Sequence, residues 1–192
     1  MRRRGVRHVR LFFDLETQYL ANEVGGWNHI PAMHLSVGCT YDERYGYRDW
    51  WEAQAADLLA ELGRAEQIVG FNLNAFDYEV LSLYGDVSGL YEKTADILEE
   101  IRNQSGRRVA LNTLAMVNLG EAKVFESGVQ AVTLWRAGKL EELVAYCRQD
   151  VELTKRLFER WETFGILWLS SWGMGYVHFP PTWGKTGKVE RD

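Results

Sequence analysis

The stretch "HVRLFFDLET", residues 8–17, places two carboxylates, Asp14 and Glu16, at the end of an apolar run. The run is short and rich in β-forming residues, which predicts a buried strand from about His8 to Leu15. Because residues two apart on a strand point to the same face, the two carboxylates lie side by side. Like charges this close repel unless a cation bridges them or one is protonated. Either a metal ion or a buried structural pair holds them there.

Length and composition predict one globular domain over residues 1–192, since the chain is 46% hydrophobic and 26% charged. Its core runs from about residue 8 to 165, and a segment rich in Trp, Gly and Pro extends it over residues 166–192. In this extension Trp172, Trp183 and Pro180-Pro181 are candidates for contact with another chain.

The net charge of −5 argues against nucleic-acid binding by bulk electrostatic attraction alone, but it is compatible with an acidic site that requires divalent cations. No apolar stretch approaches the roughly eighteen residues that span a bilayer, so we expect no membrane partner. The two cysteines, Cys39 and Cys147, lie far apart and favour a reducing compartment over a disulfide framework. The expected location is the cytoplasm.

The order of strand and helix signals predicts the fold class. Residues 33–48 read as a hairpin with its turn near Asp42, residues 67–72 as a further short strand, and residues 93–106 as a short strand that runs into a helix. Helices are expected between these strands, one of them with Asp49 as its N-cap, and the longest from about Leu140 to Phe164. A hairpin followed by strands alternating with helices predicts an α/β fold with a mixed sheet, antiparallel strands first and parallel ones after.

Two further aspartates occupy positions that this sheet could bring toward Asp14 and Glu16. Asp77 follows an apolar strand at the start of a helix, where an acidic residue is also favourable for the helix itself. Asp150 lies one turn after Tyr146 on a largely apolar helix face, where a core aspartate paired with an arginine is the structural alternative. Four carboxylates without matching cations form a good oxygen cage for two divalent ions, Mg²⁺ or Mn²⁺. We therefore favour a metal as the partner of Asp14 and Glu16.

The motifs F-D-x-E-T, N-x-x-x-F-D and Y-x-x-x-D, in this order, resemble those of the DEDD 3′→5′ exonucleases, which have the ribonuclease H-like fold. Tyr146, four residues before the last aspartate, is similar to the tyrosine of the DEDDy branch. The stretches "EVGGWN", "RVALNTLA" and "LWRAGKLEELVAYCRQDVELT" further resemble predicted ribonuclease H-like exonucleases found beside or fused to DNA-repair helicases. The resemblance covers about residues 9–164. It implies a three-layer fold with a five-stranded sheet, a leading antiparallel hairpin and helices on both faces.

The resemblance also implies the role of each residue. Asp14 would bridge two cations, Glu16 and Asp150 would complete one site, and Asp77 would support the other. Tyr146 would orient a water rather than act as a base, since its ordinary pKa is near 10. The reaction would hydrolyse the last phosphodiester at the 3′ end of single-stranded DNA and release nucleoside 5′-monophosphates. The candidates for substrate contact are Thr17, Asn72, Asn74 and Lys123, although Asn also suits a strand-to-helix turn and Lys123 an exposed loop.

Other readings stay open from sequence alone. The same residues suit a 3′→5′ exoribonuclease, because nothing in the chain separates DNA from RNA. A catalytically silent module that binds nucleic acid or docks a helicase is the alternative outside enzymes, and a helicase partner follows from the resemblance. Trp27 could stack on a base, although core packing is the simpler role for any one of eight tryptophans. His29 and His34, the latter expected inside a strand, lack partners at zinc-ligand spacing.

Overall fold

Strands and helices alternate after an initial antiparallel hairpin in the computed structural model, which describes residues 10–121, 128–170 and 175–183. The strands are β1 (Arg10–Thr17), β2 (Leu35–Asp42), β3 (Gly46–Trp51), β4 (Gln67–Gly70), β5 (Thr94–Asp96), β6 (Ile166–Trp168) and β7 (Tyr176–His178). The helices are α1 (Ala55–Arg64), α2 (Tyr78–Leu81), α3 (Ile97–Ser105), α4 (Leu111–Leu119), α5 (Gly128–Arg136) and α6 (Leu140–Phe164). No described helix is both long and apolar enough to cross a membrane.

The main sheet has five strands in the order β3-β2-β1-β4-β5. Strand β2 pairs antiparallel with both β1 and β3, whereas β4 pairs parallel with β1 and with β5. The expected mixed sheet with its antiparallel hairpin is therefore confirmed. Because β1 is central, both of its faces are covered, which explains why its sequence is apolar at successive positions.

Alternation along β1 sorts its side chains between two helical layers. Leu11, Phe13 and Leu15 pack in the cluster that also contains buried residues of α1 and α2. Phe12, on the opposite face, packs in the cluster that contains the buried side of α6. Helices thus lie on both faces of the sheet, as the three-layer fold requires. Asp14 and Glu16 share the alternation of Phe12 and so belong to the face toward α6.

Helix α6 has 25 residues, and its apolar stripe runs along most of them, from Leu143 to Trp161. Leu143, Val151, Leu157 and Trp161 are all fully buried along it. The helix ends where Gly165 adopts a left-handed conformation, φ 75°, and its amide donates to the carbonyl of Trp161. The predicted limits of this helix agree with the structure.

Strands β6 and β7 form a separate two-stranded antiparallel sheet that packs on α6. The indole N–H of Trp161 donates to the carbonyl of Val177 at 3.2 Å, and the ring lies edge-on to Phe179 and Trp183. Trp183, a candidate for contact with another chain, therefore packs within its own chain. Trp172, another such candidate, lies outside the described residues.

Two expectations about the helices do not match the structure. The prediction that Asp49 caps a helix is wrong, because Asp49 pairs with Cys39 inside the β2–β3 ladder and α1 begins only at Ala55. Its carboxylate instead accepts two hydrogen bonds from Arg148, at 2.8 and 2.5 Å. Helix α5 is absent from the expectations, although its Arg136 reaches Glu23 in the segment that follows β1.

Candidate metal centre

The site lies at the edge of the sheet where β1 extends beyond its parallel neighbour. The parallel register between β1 and β4 ends with Phe12 opposite Val69, and β4 itself ends at Gly70. The last residues of β1 therefore face an open crevice on that side, at the carboxyl end of the strands. Asp14 and Glu16 stand at this crevice and are partly buried.

Helix α6 brings a third carboxylate to this edge. Single carboxylate oxygens of Asp14, Glu16 and Asp150 lie within 4.8 Å of one another. Asp150 is buried, as is Tyr146 one helical turn before it. We call these three carboxylates the acidic cluster. Among the residues that the structure describes, no other group of acidic, histidine or cysteine side chains brings three ligand atoms this close together. The acidic cluster is therefore the candidate site for a metal ion.

Asp77 approaches the acidic cluster from the opposite helical layer. It ends a single π-helical turn, Leu73–Asp77, and only 2% of its surface is exposed. Its Oδ1 accepts the amide hydrogen of Leu15 at 3.1 Å, so this carboxylate continues the edge of β1 that β4 leaves open. Burial raises the pKa of Asp77 well above its usual range, and the charges of Asp14, Asp96 and Glu16 raise it further. A divalent cation at the cluster would offset this repulsion.

Asp96, which was not predicted from the sequence, sets the position of the turn that carries Asp77. Its carboxylate caps α3 by accepting the amides of Leu98 and Glu99, and it also accepts those of Asn72 and Asn74, at 2.8 and 3.0 Å. Asn72 is thereby held in a left-handed conformation, φ 70°. The spacing Asp-x-x-Glu before an apolar helix is a capping signal that could have identified this residue.

The surroundings of Tyr146 favour the protonated, neutral form of its phenol. Burial raises its pKa, and the negative charges of Glu16, Asp150 and Asp14 act in the same direction. Tyr146 lies one helical turn before Asp150, on the same face of α6. A protonated phenol donates a hydrogen bond, so Tyr146 suits the orientation of a ligand better than removal of its proton.

Both cysteines are buried and free, and they lie beneath the acidic cluster. The thiol of Cys147 donates to the backbone oxygen of Asp14 at 3.5 Å, while Cys39 pairs with Asp14 across the β1–β2 ladder. Burial raises the pKa of Cys147 well above its usual range. The thiol is therefore neutral, which suits packing rather than metal ligation.

The candidates for substrate contact have varied surroundings. The hydroxyl of Thr17 donates to the carbonyl of Tyr19 at 3.0 Å. Asn72 and Asn74 line a cleft of about 260 Å³ with Tyr91, Glu99 and Arg102, and the amide of Asn74 donates to Glu99. None of the acidic cluster lines this cleft. Lys123 lies outside the described residues.

His29 and His34 have no part in the acidic cluster. The expectation that His34 lies inside a strand is wrong, because β2 begins one residue later and His34 itself has a positive φ of 54°. Its Nδ1 lies 2.9 Å from a carboxylate oxygen of Glu52, so the ring of His34 is engaged in a hydrogen bond rather than a zinc site.

Comparison with known proteins agrees with this architecture. No curated protein matches the chain. Among solved structures, the family B DNA polymerase of the hyperthermophilic archaeon Pyrobaculum calidifontis superposes with a TM-score of 0.62 at 18% identity, over 81% of this chain and 24% of that polymerase. The chain thus spans about a quarter of the polymerase, and the likeness concerns the fold. The family model of the RNase H superfamily matches residues 11–162, and the chain therefore belongs to the RNase H superfamily.

Proposed function

We propose that the protein is a metal-dependent 3′→5′ exonuclease of the DEDDy type that acts on single-stranded DNA. The observation that carries this proposal is the convergence of Asp14, Glu16 and Asp150 at one edge of the sheet, with Tyr146 beside them. Asp77 faces the same edge from the other layer. A purely structural role would not require so many carboxylates in one place, since each additional charge raises the cost of burial.

The donor set fits hard divalent cations. Carboxylate oxygens are the ligands that Mg²⁺ and Mn²⁺ prefer, and the raised pKa of Asp77 reflects negative charge that a cation would offset. In this proposal Asp14 would serve both of two cations, Glu16 and Asp150 would complete one site, and Asp77 would support the other. When bound, the cations activate a water for attack and stabilise the charge on the leaving oxygen.

The chain's own groups then position the reacting strand. Tyr146 keeps its proton and donates a hydrogen bond toward the attacking water. The amide of Leu15 donates to Oδ1 of Asp77 and so helps to fix this carboxylate, which would support the second cation. Thr17, Asn72, Asn74 and Lys123 remain proposed contacts for the strand. Of these, Asn72 and Asn74 would act from the neighbouring cleft, beyond the turn that ends at Asp77.

The choice of DNA is supported by the similarity in fold to a DNA polymerase, and the choice of the 3′ end by the tyrosine-type motif. A helicase partner rests on the resemblance of the stretches around Trp27 and Tyr146. A cytoplasmic location is supported by two buried free cysteines. We propose one exonuclease domain that includes the extension, because the indole N–H of Trp161 in α6 donates a hydrogen bond to the carbonyl of Val177 in the extension.

The experiment that tests the proposal is an assay on single strands labelled at the 3′ or the 5′ end, as DNA and as RNA. Reactions contain Mg²⁺, Mn²⁺ or EDTA. We expect stepwise shortening of 5′-labelled DNA, early release of the 3′ label as a mononucleotide, and no cleavage in EDTA. Preferential cleavage of RNA would identify RNA, rather than DNA, as the substrate.

Matched variants on α6 separate catalysis from folding. Asp150→Asn retains the shape of a buried cluster residue, and we expect it to abolish cleavage. Glu159→Gln lies on the same helix and exchanges only an exposed carboxylate that pairs with Lys155, so its activity should equal that of the wild type. Equal cleavage by Asp150→Asn and the wild type would contradict the proposal. A wild-type protein that binds the strand without cleaving it would favour the catalytically silent module.

A further inference from the structure

Trp27 has an exposure that core packing does not explain. Its side chain is 68% exposed, more than any other large apolar side chain that the structure describes. The other described tryptophans are buried or partly buried. Single exposed apolar residues are common on protein surfaces, so the position and support of Trp27 decide whether its exposure has a function.

The position of Trp27 is at the edge of the sheet that carries the acidic cluster. The segment between β1 and β2, residues 18–34, which we call the β1–β2 connector, leaves β1 at Thr17 and enters β2 at Leu35. These two residues pair with each other in the sheet, so both ends of the connector lie beside Glu16. The ring of Trp27 contacts Phe76 with centroids 6.3 Å apart, and Phe76 directly precedes Asp77.

The β1–β2 connector is held at several points. The amide of Gln18 donates to the carbonyls of Met33 and His34, at 3.1 and 3.0 Å, which joins the two ends. The side chain of Gln18 also binds the carbonyl of Leu35 and the carboxylate of Glu52. Gly26, immediately before Trp27, has φ 104°, which favours glycine, and its amide donates to Ala21 at 2.6 Å. These hydrogen bonds fix the backbone of the connector that carries Trp27.

The orientation of Trp27 leaves its ring available for stacking. The planes of Trp27 and Phe76 meet at 63°, an edge-to-face contact rather than a stacked one. Stacking on an aromatic face binds any base without regard to sequence. It also requires no positive charge, which suits a chain with a net charge of −5.

We propose that Trp27 is a stacking platform for a base of the single strand whose phosphodiester lies at the acidic cluster. This rests on the proposed function, since the ligand is the strand of that same site. Phe76 contacts the ring and links it to the turn of Asp77. The platform supplies affinity that does not depend on salt, whereas phosphate contacts supply the part that does.

The test is binding of a fluorescent oligothymidylate at several salt concentrations in EDTA, where cleavage is blocked. We expect Trp27→Ala to weaken binding roughly tenfold, the scale of one base–aromatic stack, and Trp27→Phe to restore most of it. The slope of affinity against salt should be the same for all three proteins, because no phosphate contact changes.

The matched control is Tyr45→Ala. Tyr45 is 66% exposed, but it lies in the turn between β2 and β3, at the opposite end of the sheet from the acidic cluster. We expect wild-type affinity for this variant. Thermal unfolding of Trp27→Ala should match the wild type, since the lost side chain is mostly exposed.

The outcomes separate the two proposals. Wild-type affinity in Trp27→Ala, or equal losses in Trp27→Ala and Trp27→Phe, would overturn the stacking platform while metal-dependent cleavage continued to support the exonuclease. Binding that weakens in Trp27→Ala without any cleavage by the wild type would overturn the exonuclease and retain the platform. A wild-type protein that neither binds nor cleaves the strand would overturn both.

Discussion

Replacing Asp96 tests whether one buried carboxylate holds the turn that positions Asp77. Asp96 accepts four backbone amides: two at the start of α3 and those of Asn72 and Asn74. The first pair is local, and the second joins segments more than twenty residues apart. Asp96→Ala removes all four acceptors at once.

The expected loss follows from these contacts. Loss of an N-cap costs about 1 kcal/mol, and each further amide left without an acceptor costs about 1–3 kcal/mol when buried. Asn72 and Asn74 are partly exposed, so the lower values apply to them, and we expect a total near 3 kcal/mol. Asp96→Asn should lose about half as much stability. Oδ1 of Asp96 accepts three of the four hydrogen bonds, and the amide oxygen of an asparagine can still accept these three. Only the amide of Asn74, which donates to Oδ2, would then face the NH₂ group of the asparagine.

The assay is urea denaturation followed by fluorescence, together with cleavage by the folded variants. Activity should fall further than the folded fraction, because the turn that ends at Asp77 loses its anchor. Asp86→Ala is the control, since Asp86 is exposed and its carboxylate accepts hydrogen bonds from the nearby Ser88. If Asp96→Ala unfolds at the same urea concentration as Asp86→Ala, the anchoring role of Asp96 is wrong.

Three further predictions concern Tyr146, Asp77 and the extension. Tyr146→Phe should lower the turnover of a labelled strand by about 10- to 100-fold without loss of fold, since it removes one positioned donor; unchanged turnover would count against the role of the phenol. In EDTA, the melting temperature should fall as pH rises above the pKa of an unfolded aspartate, because the raised pKa of Asp77 lets the native state keep a proton that the unfolded chain has released. Asp77→Asn should flatten this profile, and equal profiles for the two proteins would contradict the assignment. Trp161→Ala should cost about 3–5 kcal/mol in urea denaturation, whereas Phe164→Ala, 63% exposed on the same helix, should cost less than about 0.5 kcal/mol; similar values for both would show that the extension does not pack as described.

Local patterns predicted the parts of the fold whose signals lie within one segment. The apolar run before Asp14 indicates β1, and the apolar stripe up to Gly165 indicates α6 with its observed ends. Alternation on β1 and helical spacing on α6 also place their carboxylates on defined faces. What these patterns cannot give is the distance between the faces, which depends on how α6 packs across the sheet.

Features that depend on distant partners were missed. Asp49 looks like a helix cap, but pairing with β2 and with Arg148, 99 residues away, places it in a strand. Asp96 has a capping signal, but its bonds to Asn72 and Asn74 depend on β4 and β5 being neighbours. The exposure of Trp27 follows from the path of the β1–β2 connector, which composition does not specify.

The most direct test of the metal centre is the location of Mn²⁺ by anomalous diffraction from crystals soaked in MnCl₂. We expect two Mn²⁺ ions, one held by Asp14, Glu16 and Asp150 and a second by Asp14 on the side of Asp77. Crystals that bind Mn²⁺ elsewhere, or that show no ion among these carboxylates at saturating Mn²⁺, would contradict it.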